Sequence, residues 1–212
     1  MTEGGFTVFL VDDDADVLKA LARLVRASGY DSREFASAED FLREHDASLP
    51  GCAVFDVAMP ELDGLALQQA LTASGVERPV IFLTGRGDIP TSVRAMKAGA
   101  VDFLTKPVNA DAFLAAIDHA REQESREREA RAEVISFTAR LATLTPRERE
   151  VLGHVIAGRL NKQIAYRLGT VEKTIKVHRS RMMEKMGVRS LAELVRLAER
   201  AGIQAQHNQE YR

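Results

Sequence analysis

Asp12 and Asp13 close an apolar run, Phe6-Thr-Val-Phe-Leu-Val11, and Asp56 closes another, Cys52-Ala-Val-Phe55. Short apolar runs of this kind predict buried strands. In a parallel sheet the C-terminal strand ends share one edge, where open α/β folds place their ligands. Three carboxylates meeting there repel one another and cost free energy unless a cation neutralises them. Hard oxygen ligands suit Mg2+ better than zinc or copper. The pattern therefore predicts a metal site, Asp12, Asp13 and Asp56, built around one nucleophilic aspartate, Asp56. Val80-Ile-Phe-Leu83 predicts a fourth strand ending at Thr84, and Ala100-Val-Asp-Phe-Leu-Thr105 a fifth ending at Lys106-Pro107. A hydroxyl and an ammonium at that edge would bind the oxygens of a phosphoryl group on Asp56, with Mg2+ taking another. Charge-assisted bonds of this type stabilise a transferring phosphoryl group and its product.

Singly, each residue has a plainer explanation. Strand-end Asp residues cap turns and helices, and Asp14, whose register places it past the sheet, is expected to start the first helix. Thr84 alone is a turn hydroxyl, Lys106 a solvated lysine and Phe103 a core ring. Their convergence on one sheet edge favours a phosphorylatable site.

In order, Val11-Asp12-Asp13, Asp56-Val-Ala-Met59-Pro60 with Gly64, Thr84-Gly85 and Lys106-Pro107 resemble a two-component response-regulator receiver domain. Thr84-Gly-Arg-Gly-Asp-Ile-Pro90 and Ala95-Met-Lys-Ala-Gly-Ala-Val-Asp-Phe103 resemble the FixJ subfamily. The resemblance covers residues 6 to 120 and implies a doubly wound, flavodoxin-like α/β fold with a five-stranded parallel sheet. It implies Asp56 as phosphoacceptor, and Mg2+ on Asp12, Asp13, Asp56 and the Ala58 carbonyl. It further implies phosphoryl contacts from Thr84 and Lys106, a cis Lys106-Pro107 bond, and a Thr84–Phe103 switch pair. Ala58 departs from a position where Asn or Arg is frequent, which bears on the lifetime of the phosphorylated state.

The overall charge of −2 divides unevenly. Residues 1–120 carry ten basic against nineteen acidic side chains, residues 121–140 five of each, and residues 141–201 thirteen basic against six acidic. A basic last third suits polyanions, nucleic acid first. Apolar residues at 45% and charged ones at 28% match ordinary globular chains, and the length accommodates two domains. No apolar run reaches about 18 residues and no signal-like N-terminus opens the chain. A cytoplasmic protein without membrane contact is expected. Cys52, the single cysteine, excludes an intramolecular disulfide and is expected to be a buried, inert thiol.

Between the halves, Arg121-Glu-Gln-Glu-Ser-Arg-Glu-Arg-Glu-Ala-Arg131 has helix formers of both signs and no Gly or Pro. With Asp111 opening the last receiver helix and Phe113, Leu114 and Ile117 facing inward, one long helix running toward Phe137 is expected. A disordered charged linker is the alternative. The expected organisation is a receiver domain over 1–120, a helical linker over 121–140, a DNA-binding domain over 141–204 and a tail over 205–212.

The last third predicts helices only. Thr145-Pro-Arg-Glu148 is a capping box with proline at the first helical position, and Gly158 stops the helix it opens. Asn161 is expected to cap a short helix ending at Gly169. A helix from Thr170 or Val171 follows, halted by Gly187, and Ser190 caps a fourth. Two short helices about a tight Gly-containing turn are a helix-turn-helix. Ile175, His178, Met182, Met183 and Met186 should face the core, leaving Lys173, Lys176, Val177, Ser180 and Glu184 outward, with Arg179 and Arg181 flanking. Lysines can bond guanine or phosphate, and Val177 can pack on a thymine methyl. Asn161 and Lys162 can grip phosphate at the preceding helix N-terminus.

Leu144-Thr-Pro-Arg-Glu-Arg-Glu-Val-Leu152, Gly158, Asn161-Lys-Gln-Ile-Ala165, Thr174-Ile-Lys-Val-His178 and Met186-Gly-Val-Arg-Ser-Leu191 resemble the LuxR/NarL-type helix-turn-helix domain. The resemblance implies a double-stranded DNA interface of Lys162, Lys173, Thr174, Lys176, Val177, Arg179, Ser180 and Arg181. It makes His178 structural, and no His or Cys lies at zinc-ligand spacing. Together the two resemblances imply a non-enzymatic transcription regulator phosphorylated by a sensor histidine kinase. Homodimerisation on phosphorylation and RNA polymerase as a partner go with it. The rival class, an Mg-dependent aspartyl-phosphate hydrolase, uses a second Asp two residues after its nucleophile; here that position is Ala58. A dinucleotide enzyme is excluded because no glycine-rich phosphate loop follows the first strand.

Overall fold

The computed structural model describes residues 5–85 and 89–203. Arg86, Gly87 and Asp88 of the FixJ-like stretch, and the expected tail 205–212, lie outside the described residues. The chain divides into two compact units, residues 1–127 and 128–212.

In the first unit five parallel strands, β1 (Thr7–Val11), β2 (Asp31–Phe35), β3 (Gly51–Asp56), β4 (Val80–Thr84) and β5 (Asp102–Thr105), form one sheet in the order β2-β1-β3-β4-β5. β1, β3 and β4 are buried on both faces, which is why they read as continuous apolar runs. Strand alternation sorts their side chains. Val8, Leu10, Cys52, Val54, Ile81 and Leu83 pack beneath α1 (Ala15–Ala27) and the start of α5 (Ala110–Ala142). Phe9, Val11, Phe55 and Phe82 turn the other way, toward α2 (Ala38–Glu44), α3 (Gly64–Ala73) and α4 (Ile89–Lys97). The strand order reverses between β1 and β3, so the crevice at their C-terminal ends is the switch point where such sheets bind ligands.

Local chemistry sets the elements beside that crevice. Asp14 is the N-cap of α1, its Oδ1 accepting from the amides of Asp16 and Val17 at 2.9 and 3.3 Å. Gly64 opens α3 hard against β3, where a Cβ would stand 2.4 Å from the Asp56 carbonyl oxygen. Asp111 lies in the first turn of α5, as expected, and Asn109 caps the helix, its Oδ1 accepting from the Ala112 amide at 3.0 Å. Phe113 and Ile117 are buried and Leu114 half-buried, and the helix runs unbroken to Ala142.

In the second unit Phe137, late in α5, joins a core with α6 (Pro146–Ile156), α7 (Asn161–Arg167), α8 (Glu172–Met186) and α9 (Leu191–Arg200). The Thr145 capping box is complete: the Thr145 amide donates to Glu148 Oε2 at 2.9 Å and the Glu148 amide to Thr145 Oγ1 at 3.3 Å. Lys185 Nζ reaches the same Glu148 carboxylate at 2.7 Å. That ammonium, with the Thr145 amide, pulls the Glu148 carboxyl down to about 2.

Candidate functional site

Asp12 follows β1 directly, Asp56 ends β3, Thr84 ends β4 and Lys106 follows β5. Parallel register brings all four to one edge, with Asp56 beside Leu83 and Thr84 beside Thr105. Lys106 Nζ lies 2.6 Å from Asp12 Oδ2 and 2.7 Å from Asp56 Oδ1, bridging the two carboxylates. The remaining oxygens are also engaged. Asp12 Oδ1 accepts from the Asp14 amide at 3.0 Å, and Asp56 Oδ2 from the Ala58 amide at 2.8 Å. The Lys106 amide donates to the Thr84 carbonyl at 2.7 Å, which ties the end of β5 to the end of β4. The Lys106-Pro107 bond is cis.

Asp12, Asp56 and Thr84 are only 2%, 4% and 3% exposed, whereas Asp13 and Ala58 are exposed. Burial raises the Asp12 carboxyl above its usual range, although hydrogen bonds from Lys106 and Asp14 oppose the rise. Burial alone would lower the Lys106 ammonium, but its bonds to Asp12 and Asp56 outweigh that and raise it. The ammonium is thus welcome and the Asp12 charge is not: two buried carboxylates share one positive charge. A donor set of carboxylate and carbonyl oxygens with surplus negative charge fits a hard divalent cation. Among the described residues no three His, Cys, Asp or Glu side chains are gathered as a metal cage. Phe103, next to Phe82 across β4 and β5 with ring centroids 6.4 Å apart, is half-buried.

In the second unit α7 and α8 flank a turn at Gly169 with φ +61°. Ile164, Ala165, Ile175, Met182 and Met186 are buried between them and their neighbours, while His178 and Met183 are half-buried. Lys162, Lys173, Lys176, Val177, Ser180 and Arg181 are exposed. Thr174 is half-buried, and Arg179 donates to Asn161 Oδ1 at 3.1 Å, bracing α8 against α7. Asn161 does not cap its helix. Leu160 is the N-cap, and its amide donates to Gln163 Oε1 at 2.8 Å, which leaves the Asn161 side chain for Arg179. Val171 is the N-cap of α8. Leu160, Tyr166 and Val171, none of which the periodicity of the sequence singles out, are also solvent-facing, at 68%, 89% and 65% exposed. No helix among the described residues is long and apolar enough to cross a membrane.

A buried carboxylate pair bridged by lysine at the switch point of a 2-1-3-4-5 sheet, followed by a helix-turn-helix, defines a receiver joined to a DNA-binding unit. The response regulator receiver domain family matches residues 8–118, and the luxR family of bacterial regulatory proteins matches residues 142–198. The chain belongs to the two-component response regulators, as a phosphorylation-activated transcription regulator of the FixJ type. Nodulation protein W of Bradyrhizobium diazoefficiens is 42% identical, over 96% of this chain and 89% of that one. The transcriptional regulatory protein FixJ of the same organism is 41% identical, over 92% and 96%. The solved structure of the response regulator StyR is 44% identical, with a TM-score of 0.76 over 92% of this chain and 98% of that one. Receiver domains as a class bind Mg2+ at their phosphorylation site.

Proposed function

We propose that Asp56 is the phosphoacceptor, and that its phosphorylation by a sensor histidine kinase in the cytoplasm switches DNA binding by the second unit. The observation that carries this is the Lys106 bridge between Asp12 and Asp56 at the crevice. In the transfer, an Asp56 carboxylate oxygen forms the new O–P bond as the N–P bond to the donor imidazole breaks. Lys106, released from Asp56, follows the transferred oxygens, and the Thr84 hydroxyl donates to another. Mg2+ held by Asp12, Asp13, Asp56 and the Ala58 carbonyl would neutralise the phosphoryl oxygens when bound. Ala58 supplies no acid or base two residues after the acceptor, so hydrolysis of external substrates is not the reading this site supports.

Phosphorylation adds about −1.5 to −2 charge at this edge. Thr84 would move toward it, with Phe103 turning into the vacated space and remodelling the face of α4. On that helix Ile89, Val93 and Met96, spaced four and three residues apart, are 78%, 45% and 49% exposed. An apolar stripe of this kind suits a second copy of the chain in a two-fold dimer. The functional division is a receiver over 1–120, a helical linker over 121–140 and a DNA-binding domain over 141–204. In it Lys162, Lys173, Thr174, Lys176, Val177, Arg179, Ser180 and Arg181 form the DNA-contacting region, and RNA polymerase is the partner at the promoter.

Acetyl phosphate with Mg2+ should add one phosphate to the wild-type protein and none to Asp56→Asn, read by mass spectrometry. Equal labelling of both would rule out the acceptor assignment. Sedimentation of the treated protein should show a dimer that Val93→Glu abolishes without loss of labelling.

A further inference from the structure

We propose that Glu172, together with Lys176, selects one G·C base pair, with guanine on the Lys176 side and cytosine on the Glu172 side. The inference rests on the reading of α8 as the recognition helix. Glu172 lies in the first turn of α8, and in a helix-turn-helix the N-terminal residues of the second helix meet the base edges. Ile175, Met182 and Met186 are buried, whereas Glu172 and Lys176 are exposed together with Lys173, Val177 and Ser180. Lys176 Nζ lies 3.3 Å from Glu172 Oε1, four residues apart on one helix surface. The two side chains are 64% and 47% exposed, so both charged heads stand side by side and open to a ligand. Such a pair supports its helix only weakly. For binding the carboxylate has a larger consequence. It repels every phosphate that approaches the basic face and lowers affinity for all sequences alike, unless a base presents it with a donor.

Major-groove chemistry names that base. Cytosine presents only its N4 amino donor, guanine and thymine present only hydrogen-bond acceptors, and adenine sets the N7 acceptor beside its N6 amino group. An ionised carboxylate only accepts, so it meets cytosine best, adenine less well and the keto bases worst. An ammonium only donates, and guanine offers it two acceptors, O6 and N7, against the single O4 of thymine. Within a G·C pair O6 and N4 are bonded partners and lie side by side, as the Lys176 ammonium and the Glu172 carboxylate do. Donor and acceptor then face acceptor and donor. The reversed C·G pair would set the carboxylate against O6 and the ammonium against an amino group. The expected order is G·C, then T·A, then their reversals.

Affinity selection of randomised duplexes by the full-length protein treated with acetyl phosphate, followed by binding curves on single-pair variants of the selected site, tests this. Wild type should prefer G·C over C·G by about tenfold at one position. Lys176→Ala and Glu172→Gln should both relax that same pair. Glutamine bonds adenine through N6 and N7, so Glu172→Gln should also move the preference on its side from cytosine toward adenine, whereas Glu172→Ala should gain no new preference. Helix support alone would change affinity for every sequence equally. If Glu172→Gln shifts all sequences together, leaves the selected pair as it was, or acts at a different position from Lys176→Ala, the inference fails while the recognition helix stands. If Lys176→Ala alters no position, or wild type enriches no sequence, the recognition-helix reading fails and the base-pair assignment with it.

Discussion

Replacing Lys106 with methionine keeps the length of the side chain and removes the positive charge that bridges Asp12 and Asp56. At an effective dielectric of 20, a charge pair at ~2.7 Å has a gross attraction of roughly 6 kcal/mol, most of which desolvation consumes. The net effect of removal is dominated by what is left behind. Asp12 and Asp56, 2% and 4% exposed, would face each other unneutralised. Breaking a buried pair this way costs about 3–5 kcal/mol. Because the Lys106 side chain is 22% exposed, about 3 kcal/mol is expected at pH 7 in EDTA. The effect belongs to the sheet, so the slowest-exchanging amides of Val8–Leu10 and Ala53–Phe55 should exchange roughly two orders of magnitude faster in full-length Lys106→Met. Adding Asp56→Asn removes one of the two repelling carboxylates and should restore about 2 kcal/mol of that loss, a coupling that a double-mutant cycle measures. Exchange in Lys106→Met within about 0.5 kcal/mol of wild type, or a double variant no better than the single one, would refute the charge-deficit account of the crevice.

Two further outcomes separate roles in the second unit. Lys176→Ala should lose about 1–3 kcal/mol of binding and relax preference at one base pair, whereas Lys162→Ala should weaken all sequences alike and reduce the salt slope by about one; binding curves across several salt concentrations check both. For Glu148 the folded carboxyl lies near 2, below its ordinary 4.5, so its stabilisation is full above pH 4.5 and is lost as pH falls toward 2. Glu148→Gln should remove roughly 1 kcal/mol at pH 7, since Lys185 is partly solvated, and should flatten that acid-side dependence in the exchange of Val151–Val155 amides.

Asp12, Asp56 and Thr84 were legible because each ends or follows a strand buried on both faces; Lys106 follows the half-buried β5. Strands buried on both faces announce themselves as unbroken apolar runs ending in a polar residue. β2 does not: Asp31-Ser-Arg-Glu-Phe35 is an edge strand in which only Phe35 is buried, so its pairing with β1 leaves no periodic trace. The same limit applies wherever a polar group's partner lies far along the chain. Asn161 has the right type and place for an N-cap, yet its side chain goes to Arg179, eighteen positions on. Lys106 suggested a phosphoryl ligand and is found bridging carboxylates that are distant in sequence. Gln68, inside Gly-Leu-Ala-Leu-Gln-Gln-Ala of α3, is buried and donates to the Ala98 carbonyl, thirty positions on. These cases share one physical cause. Apolar burial is written in local periodicity, but a buried polar group is positioned by a single distant partner, and switching at the crevice depends on such groups. Lys106 is already committed to two carboxylates before any phosphoryl group arrives. On the proposed assignment, phosphorylation of Asp56 would exchange this ion pair for contacts with the phosphoryl oxygens, and Lys106, tied through its amide to the Thr84 carbonyl, would carry that change to the ends of β5 and β4.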